Sequence, residues 1–241
     1  MRTTKVLSIL TTVIAAGLLV LATTSNTVFA LSITGDPTGS STSATSFISQ
    51  TNDQSNLCVA GTTNTNSCNQ SASNLNSGNA VSAASGSDPN GGSSSNSGIS
   101  QSNTQKAICI SGTSNTNSCN QSAQNINTGN AVSASDPSGG GSSGATSGIS
   151  QSNTQKAACI AGTSNTDSCN QAALNFNSGN AVSAASGSDP SGGGSSGATS
   201  GISQSNVQNA FCIAGTSNSG SCNQAAANFN FGNAVSVALT R

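Results

Sequence analysis

Histidine, glutamate, tyrosine and tryptophan are all missing from this 241-residue chain, and charged residues make up only 5% of it. General acid–base chemistry runs mostly on His and Glu, or on Asp, Lys, Tyr or Cys held at a shifted pKa. The acidic residues here are six aspartates. Four of them (Asp36, Asp88, Asp136 and Asp189) stand directly before proline in Ser/Gly-rich surroundings, a turn-forming context rather than that of a buried acid. The composition points away from an enzyme, and no cofactor is expected. It points away from nucleic acid as well. Beyond residue 30 the basic residues are Lys106, Lys156 and Arg241, too few to neutralise a phosphate backbone, and no aromatics interleave with them to stack bases.

Large apolar side chains are scarce too. Six Phe stand among a majority of Ser, Asn, Gly and Thr, which cannot build a conventional core and taken alone suggests disorder. Two abundant features argue the other way: an internal repeat and eight cysteines.

The first thirty residues have the layout of an export signal. Met1, Arg2 and Lys5 form a basic start, Val6 to Ala22 an uncharged apolar run, and Val28 and Ala30 occupy the positions where signal peptidase needs short side chains. Cleavage is expected after Ala30, giving a secreted, extracellular or cell-surface protein with no membrane span left after processing. The alternative is a retained anchor. Against it, the run falls short of about 20 apolar residues and carries Ser8, Thr11 and Thr12. No cysteine opens the mature chain, so a lipid anchor is not expected.

The cysteines form four pairs (Cys58/Cys68, Cys109/Cys119, Cys159/Cys169, Cys212/Cys222), each with nine residues between, and successive pairs step by 51, 50 and 53 residues. A unit of about fifty residues therefore occurs four times. The division that follows is a signal (1–30), an N-terminal linker (31–46) and repeats at 47–84, 99–134, 149–185 and 202–241. Between the repeats lie Gly/Ser spacers at 85–98, 135–148 and 186–201, read as exposed, flexible loops.

Within a repeat the periodicity is two. Counting back from Cys109, the residues Ala107, Gln105, Asn103, Gln101 and Ile99 share a parity, hence one face of a strand. The same register places Gln50, Asn52 and Gln54 in the first unit, Gln151, Asn153 and Gln155 in the third, and Gln204, Asn206 and Gln208 in the fourth. After the second Cys the alternation resumes. Its amides are Gln70, Asn74 and Asn76, then Gln121, Asn125 and Asn127, Gln171, Asn175 and Asn177, and Gln224, Asn228 and Asn230. The apolar residues Leu75, Val81, Ile126, Val132, Phe176, Val182, Phe229 and Val235 fall on the opposite face.

The nine residues between paired cysteines are turn chemistry, for example ISGTSNTNS. A strand–turn–strand with a Cys at each base is a geometry a disulfide closes. Eight cysteines allow about 105 pairings, and the repeat-local one is simplest. Secretion supplies the oxidising compartment. Zinc ligation is the alternative, at a spacing wider than the usual two to four residues. The fold expected is all-β: four tandem disulfide-stapled strand–turn–strand repeats, stacked as a β-solenoid or β-arch array. Stacking would align like amides in columns that hydrogen-bond along the stack. The bland reading of the same amides is a solvated surface.

The Gln-x-Asn-x-Gln series at 101–105 and the N-x-G-N-A segment at 127–131 resemble the amyloid-forming curlin repeats of bacterial curli fibres. The resemblance covers the four blocks, about residues 47 to 238, and not the spacers. It implies stacked strands with inward Gln, Asn, Ser and Gly, and a role in extracellular fibres, attachment or biofilm. The expected function is thus a secreted, non-enzymatic structural protein that self-associates or joins other matrix components. Two competitors remain. One is a monomeric stalk or adhesin of four separate beads. The other is a solenoid that binds a glycan, a surface or ice, for which the Thr104 and Thr154 column is broken by Asp53 and Val207. Asn69 and Asn120 begin N-x-Ser sequons, which chance explains in so Asn/Ser-rich a chain.

Overall fold

The computed structural model describes residues 21–35, 41–86, 91–137, 141–187 and 195–240. The apolar run at 6–22, read from sequence as an export signal, lies outside them except for Leu21 and Ala22. All described elements are strands. Strand β1 (Leu21–Gly35) precedes four coils of identical plan. The first coil is β2 (Ser41–Ala60), β3 (Thr63–Thr65), β4 (Gln70–Asn76) and β5 (Ala80–Gly86). The second is β6 (Gly92–Ser111), β7 (Ser114–Thr116), β8 (Gln121–Asn127) and β9 (Ala131–Pro137). The third is β10 (Ser143–Ala161), β11 (Ser164–Thr166), β12 (Gln171–Asn177) and β13 (Ala181–Gly187). The fourth is β14 (Ser196–Ala214), β15 (Ser217–Ser219), β16 (Gln224–Asn230) and β17 (Ala234–Thr240).

Corresponding strands of successive coils pair in parallel, giving four sheets that run the length of the stack. The register is residue on residue: Gln50 beside Gln101, Gln101 beside Gln151, Gln151 beside Gln204. Strands within one coil do not pair with each other. They face one another through side chains, so the coil is an arch and not a hairpin, and all four coils stack inside one chain. The result is a parallel β-solenoid.

Four expectations from sequence need correction. The second arm of each repeat is two strands, separated by a corner at the N-x-G-N segment. There Asn127 Nδ2 donates to the Gly129 carbonyl at 2.9 Å and the Gly129 N–H donates to Asn127 Oδ1 at 3.3 Å. The side-chain amide thus supplies the turn's hydrogen bonds. The spacers are also not loops throughout. Strands β6, β10 and β14 begin at Gly92, Ser143 and Ser196, and residues 31–46, expected as a linker, contribute to β1 and β2. The physical reason is that serine continues the inward parity. Ser93, Ser95 and Ser97 are buried, and their hydroxyls meet those of Ser135, Ser82 and Ser133 at 2.6, 2.7 and 2.9 Å. A parallel neighbour satisfies the backbone regardless of composition, so tertiary pairing overrides the weak strand preference of Gly and Ser. Asp136 and Pro137, expected in a turn, end β9, and Ser186 Oγ donates to Asp136 Oδ1 at 2.9 Å. The other three Asp-Pro pairs lie outside the described residues.

The interior inverts the usual arrangement. Gln101, Asn103, Gln105, Asn125 and Asn127 are at most 1% exposed, whereas Leu75 is 63% exposed and Phe231 68%. Among the described residues the buried apolar side chains, apart from scattered alanines, gather in two narrow columns. One stacks the cysteines with Ala107 and Ala157. The other stacks Ile48, Ile99, Ile149 and Ile202 against Ala80, Ala131 and Ala181.

Candidate functional site

The described residues build a set of amide columns that run along the stack and stop at its two ends. Burying a side-chain amide is unfavourable unless its hydrogen bonds are made. Stacking identical residues in register makes them, because each carboxamide carries both donor and acceptor and meets a copy of itself one strand away.

Three glutamine columns run in one direction. Gln101 Nε2 donates to Gln50 Oε1, Gln151 to Gln101 and Gln204 to Gln151, each at 2.8 Å. Gln105, Gln155 and Gln208 likewise donate to Gln54, Gln105 and Gln155 at 3.0, 2.9 and 2.9 Å. The third column links Gln121, Gln171 and Gln224 back to Gln70, Gln121 and Gln171 at 2.9, 3.0 and 3.3 Å.

The asparagine columns run the other way. Asn52 donates to Asn103, Asn103 to Asn153 and Asn153 to Asn206 at 3.0–3.1 Å. Asn74, Asn125 and Asn175 donate to Asn125, Asn175 and Asn228 at 2.9–3.0 Å. Asn76, Asn127 and Asn177 donate to Asn127, Asn177 and Asn230 at 2.7–2.8 Å. The first two columns are also laced together across the arch. Asn52 Nδ2 meets Asn74 Oδ1 at 2.7 Å and Asn103 Nδ2 meets Asn125 Oδ1 at 3.0 Å.

Sequence reasoning missed a seventh column. Asn64, Asn115 and Asn165 donate to Asn115, Asn165 and Asn218 at 2.9–3.0 Å from inside the arch that composition marked as a plain turn. Its signal was an Asn at the same distance after the first Cys in every repeat. Asn69 and Asn120, the sequon residues, serve the stack as well: their Oδ1 atoms accept the backbone N–H of Asn120 and Asn170, each at 2.9 Å.

Each arch is closed by its own disulfide, Cys58–Cys68, Cys109–Cys119, Cys159–Cys169 and Cys212–Cys222, with the Cα atoms 6.1 Å apart in all four. All eight thiols are consumed, which leaves none for a metal. The second cysteine of each pair takes a positive φ of 54–60°. For a residue with a Cβ that conformation is unfavourable by about 1–2 kcal/mol, so it needs tethering by its surroundings. The bridges place the protein in an oxidising, extracellular-type environment. Compared with known protein families, curated proteins and solved structures, the chain matches none.

The outward faces carry the apolar residues in matching columns, among them Leu57 with Phe211 and Val59 with Ile213 at the two ends of the stack, all exposed. Phe176 and Phe231 pack with ring centroids 5.6 Å apart. Among the described residues no helix is long and apolar enough to cross a membrane.

The inversion yields a paired test. Asn125→Leu removes a buried amide that donates to Ser152 O, Asn153 Oδ1 and Asn175 Oδ1 at 2.9–3.0 Å and accepts from Asn74 and Asn103 at 3.0 Å. With about 1–3 kcal/mol for each buried partner left unmatched, a loss of about 3 kcal/mol or more is expected. Leu75→Ser, on the outer face, is expected to change stability by less than about 0.5 kcal/mol. Urea midpoints of the two variants check this, and a larger loss for Leu75→Ser would place the core on the wrong face.

Proposed function

We propose that the chain is a secreted, non-enzymatic structural protein of the cell surface or extracellular matrix that assembles end to end into fibres. The single observation behind this reading is that the amide columns end on a fourth coil whose outer edge pairs with no described strand. On the side of β14–β17 away from the third coil no described strand follows, and Gln204, Asn206, Asn228 and Asn230 are all partly or fully exposed. Open parallel edges of this kind invite a further strand.

The opposed column directions make the two ends different and matched. The last coil offers glutamine carbonyls and asparagine N–H groups outward; the first offers glutamine N–H groups and asparagine carbonyls. Joining unlike ends is a head-to-tail contact, which propagates as a filament when the rotation does not close. The resemblance of the Gln-x-Asn-x-Gln and N-x-G-N-A segments to curlin repeats adds to this reading.

A second reading rests on a separate observation. The outward column of Val81, Val132, Val182 and Val235 and that of Leu75, Ile126, Phe176 and Phe229 are apolar, half-buried in the middle coils and exposed in the first and fourth. Contiguous exposed apolar surface marks contact with a partner, and on this reading the protein is a monomeric adhesin holding a surface or glycan. Electron microscopy and fibre diffraction of the oxidised mature protein separate the two. Fibres with a reflection near 4.7 Å, the strand spacing, support assembly. A protein that stays monomeric after days at high concentration rejects it in favour of the adhesin.

A further inference from the structure

The first coil is not bare. Strand β1 pairs antiparallel with the outer edge of β2, from Leu21 opposite Ser55 to Phe29 opposite Phe47. The register then shifts, and pairing continues from Ser32 opposite Thr45 to Gly35 opposite Thr42. The shift between Phe29 and Ser32 brackets Ala30, after which the sequence places the signal-peptidase cut. Nine of the thirteen paired positions lie upstream of that cut, and they cover Phe47–Ser55, where Gln50, Asn52 and Gln54 begin their columns.

We infer that residues Leu21–Ala30 are a removable cap: while attached they occupy the edge of β2, and their cleavage opens it to the last coil of a second copy of this chain. The inference rests on the end-to-end assembly proposed above and adds what controls it.

The pairing of β1 differs from every other in the stack. It is antiparallel, whereas all coil-to-coil pairs are parallel. It sets Asn26 opposite Gln50, Thr24 opposite Asn52 and Ala22 opposite Gln54, so none of the three amides that begin columns on β2 meets its own kind. Such a strand satisfies the backbone of the edge without offering the matching amides that extend a column. Strand β14 offers both, since Gln204, Asn206 and Gln208 repeat the series of β2 in the same parallel sense. Sheet pairing admits one strand on a given edge, so cap and second copy exclude each other. While attached, the cap has the advantage of an effective concentration of about millimolar, far above that of a second chain at micromolar levels. Cleavage removes that advantage together with the strand. Ser32–Gly35 remain on β2 but lie over Thr42–Thr45, away from the amides.

The test compares the full 241-residue chain, prepared without signal peptidase and oxidised, with the chain starting at Leu31. Elongation from sheared seeds is followed by light scattering, with microscopy of the products. The cleaved chain is expected to elongate at least about tenfold faster, the change in open-edge population that about 1.4 kcal/mol of cap pairing would give. Asn26→Pro in the full chain, which removes a backbone N–H in the middle of β1, is expected to restore most of that rate. Equal rates for full and cleaved chains overturn the cap and leave the fibre reading standing. A slow full chain that Asn26→Pro does not accelerate also overturns the cap, because the leader then acts otherwise than through pairing. If neither form elongates, the fibre reading itself fails and the cap with it.

Discussion

Gly112→Ala is expected to destabilise the protein by about 3 kcal/mol or more, while Gly61→Ala, in the same place one repeat earlier, is expected to be neutral or to stabilise by up to about 1 kcal/mol. The two glycines sit at the same point after the first Cys of their repeats, in near-identical sequence. A Cβ on Gly112 would overlap the carbonyl oxygen of Gly61, whereas one on Gly61 meets nothing within 4 Å. The obstacle is backbone, held by Gly112 N–H to Ala60 O at 3.2 Å and Thr113 N–H to Thr62 O at 2.7 Å, so no side chain can swing aside. Neither glycine is among the residues with positive φ, which makes the difference one of stacking and not of backbone freedom. No described coil precedes the first, whereas the first precedes the second. Four separate beads would respond alike to both substitutions. Thermal or urea midpoints of the two variants settle the point, and equal losses would contradict the stack.

Reduction of the four bridges is expected to abolish the cooperative unfolding transition. Each bridge closes an arch of sequence separation 10, a constraint of about 3 kcal/mol on the unfolded chain. Total stabilities of domains are about 5–15 kcal/mol, so even partial additivity across four bridges consumes most of it. Few apolar contacts stand in reserve, since the buried cysteines are themselves the larger of the two apolar columns. Removing one bridge by Cys109→Ala with Cys119→Ala is expected to lower stability by about 3 kcal/mol without creating a buried polar group, because both positions are fully buried. Far-UV circular dichroism through a urea series, with and without reductant, measures both. An unchanged midpoint would remove the bridges from the account.

The amide columns were legible because two signals coincide: period two within a repeat, and the same amide at the same place in each. Gln101, Gln151 and Gln204 satisfy both. The Asn64, Asn115, Asn165 and Asn218 column satisfies only the second, since the strands holding it are three residues long, too short for periodicity to register. The corner at Gly129 was hidden by parity itself: Asn127, Gly129 and Ala131 all stay on the buried side through the bend, so two strands looked like one. The strand halves of the spacers were hidden by composition. Runs such as GGGSSGATSG satisfy the criteria for a flexible linker when read alone. In the stack each lies beside a near-copy of itself, Ser143 against Ser196 and Ala145 against Ala198, which supplies the backbone partners that propensity scales take no account of. The polar interior follows from the same fact. Identical neighbours at one strand spacing satisfy amides that a globular core would leave unpaired.

Lys106 and Lys156 provide the most direct test of in-register stacking. They are the two lysines beyond residue 30, they lie opposite each other across β6 and β10, and both are exposed. Neighbouring strands are about 4.8 Å apart, so a bifunctional amine reagent of that reach, applied to the dilute oxidised monomer, is expected to join them within one chain. Mass spectrometry of the digest should then show the Lys106–Lys156 peptide pair as the dominant cross-link. Lysines that react singly, with no link between them, would mean that successive repeats do not stack in register.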